Sequence, residues 1–195
     1  MGRPLLIGCA ALIGGILLIA LITALWVNGT RNSLVDKSTA IDNQWAQVQV
    51  QYQRRFDLIP NLVESVKGIF EQEQEVFGRL ADARTRYAGA AQSGTPDEQA
   101  QAATQVESAL ARLLVVVENY PQIRSQANVT QLMDELAGTE NRVAVARTRF
   151  NDLTLDYNRT VKRFPSSTIA GWFDYQERAY FEAPAETAQP PRVGF

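Results

Sequence analysis

The chain has 195 residues, with 19 basic and 21 acidic side chains, a formal charge of −2, one Cys and no His. Without His there is no imidazole general base, no Ser–His–Asp or Cys–His triad and no His-containing zinc site, which weighs sharply against hydrolytic enzymology. Near-balanced charge leaves no basic face for general nucleic-acid binding, and a lone cysteine permits no intrachain disulfide.

Leu5 to Val27 is a run of 23 residues without a charged side chain. As a helix it spans roughly 34 Å, enough to cross a bilayer core with some tilt. It predicts an uncleaved transmembrane anchor over 5–27, preceded by a short N-terminal tail over 1–4. A signal peptide fits less well, because its apolar core is shorter and ends at small residues. Here Trp26, Asn28 and Gly29 read instead as an interfacial belt. Leu6-Ile7-Gly8-Cys9 has a lipobox-like form, but only four apolar residues precede Cys9 and the run continues long past it. Cys9 is therefore read as a lipid-facing or packing residue.

After the anchor the chain turns polar and periodic. Leu34, Ile41, Trp45, Val48, Tyr52, Ile59, Leu62, Val66, Ile69, Val76 and Leu80 keep three- and four-residue steps. That coiled-coil-like stripe predicts one helix from near Arg31 to about Ala90, roughly 85–90 Å long. Pro60 is expected to kink it, because proline removes a backbone donor and clashes with the Phe56 carbonyl. Only Asn28-Gly29 separates this helix from the anchor, so the two are expected to run on continuously.

Residues 88–95 read as a connection. Thr95-Pro96-Asp97-Glu98 then gives a helix start, with Thr95 as N-cap, Pro96 as first helical residue and Glu98 closing a capping box. The second helix is predicted over Pro96 to about Glu118, burying Val106, Leu110, Leu113, Leu114 and Val117, and Asn119-Tyr120-Pro121 ends it. A third helix carries Val129, Leu132, Leu136, Thr139, Val143, Ala146, Phe150, Leu153 and Tyr157, and stops near Arg163 because Pro165 follows. Ser166 or Ser167 caps a short last helix through Ile169, Trp172 and Phe173. From Pro184 the chain, with Pro190-Pro191, is expected to be extended. The fold class is all-α: a transmembrane helix, then an antiparallel bundle of long helices over 28–183 with a short C-terminal helix, and a tail over 184–195.

Polar clusters interrupt the apolar seams. Arg54-Arg55-Phe56-Asp57-Leu58-Ile59-Pro60-Asn61-Leu62-Val63-Glu64 is the densest, followed by Glu118-Asn119-Tyr120-Pro121 and Thr139-Glu140-Asn141-Arg142. Tyr157-Asn158, Phe164-Pro165 and Tyr180-Phe181-Glu182-Ala183 lie further along. With Trp45-Ala46 and the anchor, these motifs resemble the LemA family of bacterial membrane proteins over about Leu34 to Phe195. The resemblance implies an antiparallel bundle of long helices and carries over no catalytic residue. A LemA-like protein takes part in magnetosome formation in some bacteria, which implies roles in membrane organisation. The chain departs from the family after Phe164-Pro165, where relatives often show a Phe-Gly-Phe-like stretch and this chain has Trp172-Phe173-Asp174-Tyr175.

Arg54, Arg55, Asp57, Pro60, Asn61, Glu64, Glu118, Asn119, Tyr120, Glu140, Asn141, Arg142 and Asn158 are the candidate residues. They form either an interaction surface or a polar network that fixes helix register. A plainer alternative pairs Arg54, Asp57 and Glu64 along one helix, and Glu140, Arg147 and Asn151 likewise. Bundle di-iron sites need Glu-x-x-His motifs, which are absent, and no acidic spacing signals Ca²⁺ or Mg²⁺. No cofactor, metal, nucleic acid or small-molecule substrate is inferred. The aromatic stretch Ile169 to Phe173, with Tyr175, Tyr180 and Phe181, either caps the bundle or meets the membrane surface or a partner.

Positive charges flank the anchor almost equally, with Arg3 on one side and Arg31 and Lys37 on the other. The domain is assigned to the extracytoplasmic side of the bacterial inner membrane, because the anchor resembles an uncleaved export signal. The leading functional reading is a non-enzymatic scaffold or adaptor whose partners are the lipid bilayer and a membrane or envelope protein. The alternative is a homo-oligomer that organises membrane. A third, enzymatic reading requires a cleft lined by Asp57, Glu64 and Glu140.

Overall fold

A computed structural model describes residues 3–181, with side chains over 12–92 and 94–181. The tail over 184–195 lies outside the described residues, as do Glu182 and Ala183 and the side chains of Arg3 and Cys9. The order is α1 (Arg3–Ser65), a 3-10 turn (Lys67–Ile69), α2 (Gln74–Ser93), α3 (Pro96–Glu118), α4 (Pro121–Arg124), α5 (Ala127–Lys162) and α6 (Ser166–Trp172). Among the described residues there is no strand, and the fold is all-α.

The periodicity of the first stripe hides a reversal. The helix expected to run to Ala90 stops at Ser65, passes through the 3-10 turn and restarts at Gln74. In one straight helix Phe56 and Tyr87 would stand roughly 46 Å apart, yet their ring centroids are 4.7 Å apart and edge-on. Tyr52 joins them, 5.8 Å from Phe56 and 6.1 Å from Tyr87. Burying these rings on one another outweighs the cost of leaving backbone groups unpaired at a helix end, since each aromatic removes 150–250 Å² from water. Three- and four-residue steps survive such a fold-back, so the stripe reads the same whether the helix is straight or doubled over. The restart shifts the register slightly: Phe77 is buried and Val76 only half-buried. Pro60 stays inside α1, which ends at Ser65.

The chain divides into two compact units. The first takes the chain through Ile41 together with Leu153–Arg178. Within it α1 is unbroken across Asn28 and Gly29. Leu12, Ile16, Ile19, Ile22 and Leu25 stand exposed on it, in a stretch long and apolar enough to cross a membrane. Leu34 and Ile41 are buried together with Thr154, Tyr157, Asn158, Ile169 and Ala170. Lys37 pairs with Asp156 at 2.9 Å and donates to Thr160 Oγ1 at 2.8 Å, which ties α1 to α5.

At the end of this unit the Phe164–Pro165 peptide is cis. Ser166 Oγ donates to the carbonyls of Thr160 and Arg163, and the start of α6, where Ser166 or Ser167 is expected to accept as a cap, has no side-chain cap. Helix α6 ends in a Schellman turn. The Tyr175 N–H reaches the Ala170 carbonyl at 2.9 Å, and Asp174 takes the left-handed position with φ 55°. Asp tolerates that conformation better than most residues, because its short polar side chain bonds locally, here to Gln176.

The second unit holds Asp42–Asp152 and the chain from Ala179 on. Four long segments alternate in direction: α1 from Asp42, α2, α3 and the first part of α5. Its centre is built from Val48, Tyr52, Ile59, Leu62, Leu80, Leu110, Leu113, Leu136 and Val143. Full burial of one such aliphatic side chain stabilises by about 1.5–3 kcal/mol. Helix α3 begins and ends where its sequence predicts, and the Thr95–Glu98 capping box is complete. Gly94 precedes it because a Cβ there would stand 2.6 Å from the Ala90 carbonyl oxygen. Leu114 of the expected buried face is only half-buried. The short α4, which the sequence did not signal, fills the step from α3 to α5.

Candidate functional site

The densest polar motif lies in the second unit on the last turns of α1. Arg54, Asp57, Pro60, Asn61 and Glu64 are exposed, while Arg55 between them is buried. Asp57 accepts from Gln53 at 2.6 Å, and Glu64 pairs with Lys67 at 2.5 Å. The pairing along one helix suggested by their spacing is therefore not the pairing present. Arg54 and Arg142 converge from α1 and α5 on one groove of about 790 Å³, where Asp134 and Glu135 provide opposite charge. Pro60, Val63 and Glu64 border a more apolar groove of about 690 Å³ whose far wall is Phe70, Phe77 and Ala81.

Arg55 and Glu140 meet across α1 and α5, Nη2 to Oε2 at 3.5 Å. The pair is lopsided. The arginine side chain is 6% exposed and the glutamate 71%, and Arg55 Nε and Nη1 have no acceptor among the described residues. Asn141 and Arg142 border a shallow polar groove with Gln44, Gln51 and Arg149. Glu118 is exposed. Asn119 caps the end of α3, its Nδ2 donating to the Val115 carbonyl. The Tyr120 hydroxyl donates to Glu73 at 3.1 Å, and that bond raises the phenol's pKa. This motif thus ties the α3–α4 corner to the start of α2. Asn158 belongs to the first unit, where its Nδ2 donates to the Arg178 carbonyl and its Oδ1 accepts the Arg178 N–H, at 2.8 and 2.9 Å.

One polar group of the second unit that bridges three helices stands outside the candidate residues and enters the sequence reading only as a neighbour of Glu140 and Asn151. Arg147 on α5 donates from Nε to the Tyr52 hydroxyl of α1 and from Nη2 to Glu107 of α3, both at 2.8 Å. Its guanidinium also lies 5.3 Å from the centre of the Tyr52 ring. Burial pushes the Tyr52 phenol up to about 12, with the Arg147 charge opposing and the Glu107 carboxylate reinforcing the rise. For Arg147, burial works against the charge, but Glu107 and Tyr52 override it and hold the guanidinium above its ordinary value. Glu107 reads in sequence as one more charge beside the apolar Val106, so nothing local marks it. Asn151 bonds the Phe181 backbone in both directions, at 3.1 and 2.9 Å. It holds that residue against Trp45 and Phe150 at centroid separations of 5.4 and 5.0 Å. The expected line of Glu140, Arg147 and Asn151 along α5 is thus dispersed: Glu140 to Arg55, Arg147 to Tyr52 and Glu107, and Asn151 to the Phe181 backbone.

Asp57, Glu64 and Glu140 each have a different partner and line no common groove among those described above. Among the described residues no cluster of three Asp, Glu or Cys side chains is arranged to hold a metal ion. A stretch of α1 long and apolar enough to cross a membrane and a helical bundle held by interhelix polar ties describe a membrane-associated helical protein. A sequence model described as the LemA family matches residues 44–195, and the chain belongs to that family. It is similar to magnetosome protein MamQ 1 of Paramagnetospirillum magneticum, 25% identical over 77% of this chain and 64% of that protein. It is also similar to magnetosome protein MamQ of Magnetospirillum gryphiswaldense, 26% identical over 86% of this chain and 70% of the relative. Protein LemA of Metamycoplasma hominis is 21% identical over 80% of this chain and 70% of its own. The chain thus spans less than two thirds of the length of the first of these relatives.

Proposed function

We propose that the protein is a non-enzymatic, membrane-anchored scaffold that binds another membrane or envelope protein through the exposed motif face of its bundle. The observation that carries this is the display of Arg54, Asp57, Asn61 and Glu64 on the solvent side of α1. Residues whose task was to fix register would be turned inward, as Arg147 and Tyr52 are. Beside them the groove of Pro60, Val63, Phe70 and Phe77 offers an apolar slot rimmed by charge, the arrangement in which a partner's apolar anchor is desolvated while its flanks stay wet. The similarity to proteins named for the magnetosome supports a role at a membrane.

The test is to extract the full chain in mild detergent and weigh its complex by mass photometry with mass spectrometry. A stoichiometric second protein is expected, lost from the Asp57→Ala, Asn61→Ala, Glu64→Ala triple variant while hydrogen exchange of the bundle is unchanged. A monomer under several extraction conditions refutes the proposal, and a defined homo-oligomer transfers the weight to membrane organisation by self-assembly. We further place the domain on the extracytoplasmic side of the inner membrane. An alkaline phosphatase fused at the C-terminus should be active, and an inactive fusion reverses the orientation.

A further inference from the structure

The first unit carries its largest exposed aromatics at one end. Phe164 is 79% exposed, Trp172 71% and Phe173 45%. Phe164 and Trp172 are at least as exposed as the leucines of the apolar stretch of α1, and Phe173 less so, yet all three lie outside the apolar run. In water, large aromatics at such exposure are costly.

Their height along α1 can be read from contacts inside the unit. The Arg31 guanidinium sits 5.3 Å from the centre of the Phe173 ring. Arg31 is five residues past Trp26, about 7.5 Å along the axis. The headgroup layer on each side of a bilayer core is of similar depth, roughly 5–8 Å. Lys37 of α1 meets Asp156 and Thr160 of α5, and Arg31, nearer the apolar run, meets Phe173 beyond the end of α5, so the chain descends toward the apolar end of α1 between Thr160 and Phe173. Helix α6 then buries Ile169 and Ala170 against the unit and leaves Trp172 and Phe173 outward. The Schellman turn at Asp174 directs the chain back from there. Arg31 and Arg163 are both exposed, the charge that suits phosphate headgroups.

We propose that Phe164, Trp172 and Phe173, with Arg31 and Arg163, form a second membrane contact, seated in the phospholipid headgroup layer of the bilayer that α1 crosses. The proposal rests on reading α1 as the membrane span. The aromatic rings supply the amphipathic bodies that prefer the interface, and the two arginines meet lipid phosphate. A single helix leaves its domain free to tilt and rotate about the anchor, whereas a second contact off the α1 axis holds the first unit in one orientation to the bilayer.

The test uses the full chain in phosphatidylcholine–phosphatidylglycerol nanodiscs, with lipids brominated on the acyl carbons nearest the glycerol as quenchers. One variant keeps Trp172 alone (Trp26→Phe, Trp45→Phe) and the other keeps Trp26 alone (Trp45→Phe, Trp172→Phe). The expected result is that brominated lipid quenches Trp172 to a degree comparable with Trp26. Trp26 quenched with Trp172 unaffected overturns the proposal and leaves the anchor intact. Trp172 shielded from aqueous iodide but untouched by brominated lipid also overturns it, and points to a protein cover instead. If neither tryptophan is quenched, α1 does not span the bilayer and both readings fall.

Discussion

Replacing Arg147 by Met keeps most of the side chain's length and apolar stem while deleting its charge and donors. The loss falls on two bonds of 2.8 Å, to Tyr52 and Glu107. The Arg147 and Glu107 side chains are 26% and 21% exposed, so the pair is screened more than a dry core pair and less than a surface one. A hydrogen bond involving a charged group contributes about 1.5–3 kcal/mol, and leaving the Glu107 carboxylate unpaired adds to the loss. Met retains the packing against Tyr52, which offsets part of it. The expected cost is about 2–3 kcal/mol, shared by α1, α3 and α5 because the arginine bridges all three. Amide hydrogen exchange of the full chain in mild detergent reads this as an acceleration of roughly 30- to 150-fold at the best-protected amides of α3 and α5 in the second unit. Glu107→Gln keeps an acceptor and loses only the charge, so its cost is nearer 1 kcal/mol, and the double variant costs less than the two singles added. A change of twofold or less in Arg147→Met refutes the reasoning, since it gives the pair the negligible weight of a solvated surface ion pair.

Three further outcomes follow from the same structure. Burial holds the Tyr52 proton up to about pH 12, whereas the unfolded chain releases it near pH 10. Its contribution of roughly 2–3 kcal/mol is thus whole below pH 10 and lost as pH rises to 12; alkaline denaturation profiles of wild type and Tyr52→Phe should show the slope flattened in the variant. Arg55 is buried with two nitrogens lacking acceptors and a partner 3.5 Å away, so Arg55→Met should be neutral or stabilising by up to about 1 kcal/mol. A loss of more than about 1 kcal/mol by hydrogen exchange contradicts that. Thr95→Ala removes the cap that accepts the Glu98 N–H and should cost about 1 kcal/mol, seen as faster exchange confined to the first turn of α3.

Much of the architecture was legible because its determinants are local. The capping box at Thr95 fixes the start of α3 through two bonds within four residues. The charge-free run marks by composition alone the stretch of α1 that is long and apolar enough to cross a membrane. Long stripes at three- and four-residue steps identify helices whatever their surroundings, since the period belongs to the helix itself. Among the candidate residues, Asn158 and Arg55 are buried, while Arg54, Asp57, Asn61 and Glu64 are exposed. The sequence alone left each of these placements open, because a polar residue at a helical step fits either side of the seam.

The amino-acid order by itself determined the helical class, the membrane-length run, the cap of α3 and the family. The tertiary structure alone decided the reversal between Ser65 and Gln74, because it answers to Phe56 packing on Tyr87, a contact 31 residues apart that a helical period cannot express. It likewise decided that Arg147 selects Glu107 and Tyr52, and that Asn151 and Asn158 turn inward to backbone rather than outward to solvent. Those choices depend on which helices lie side by side, and pairing between elements is a property of the folded chain and not of any segment.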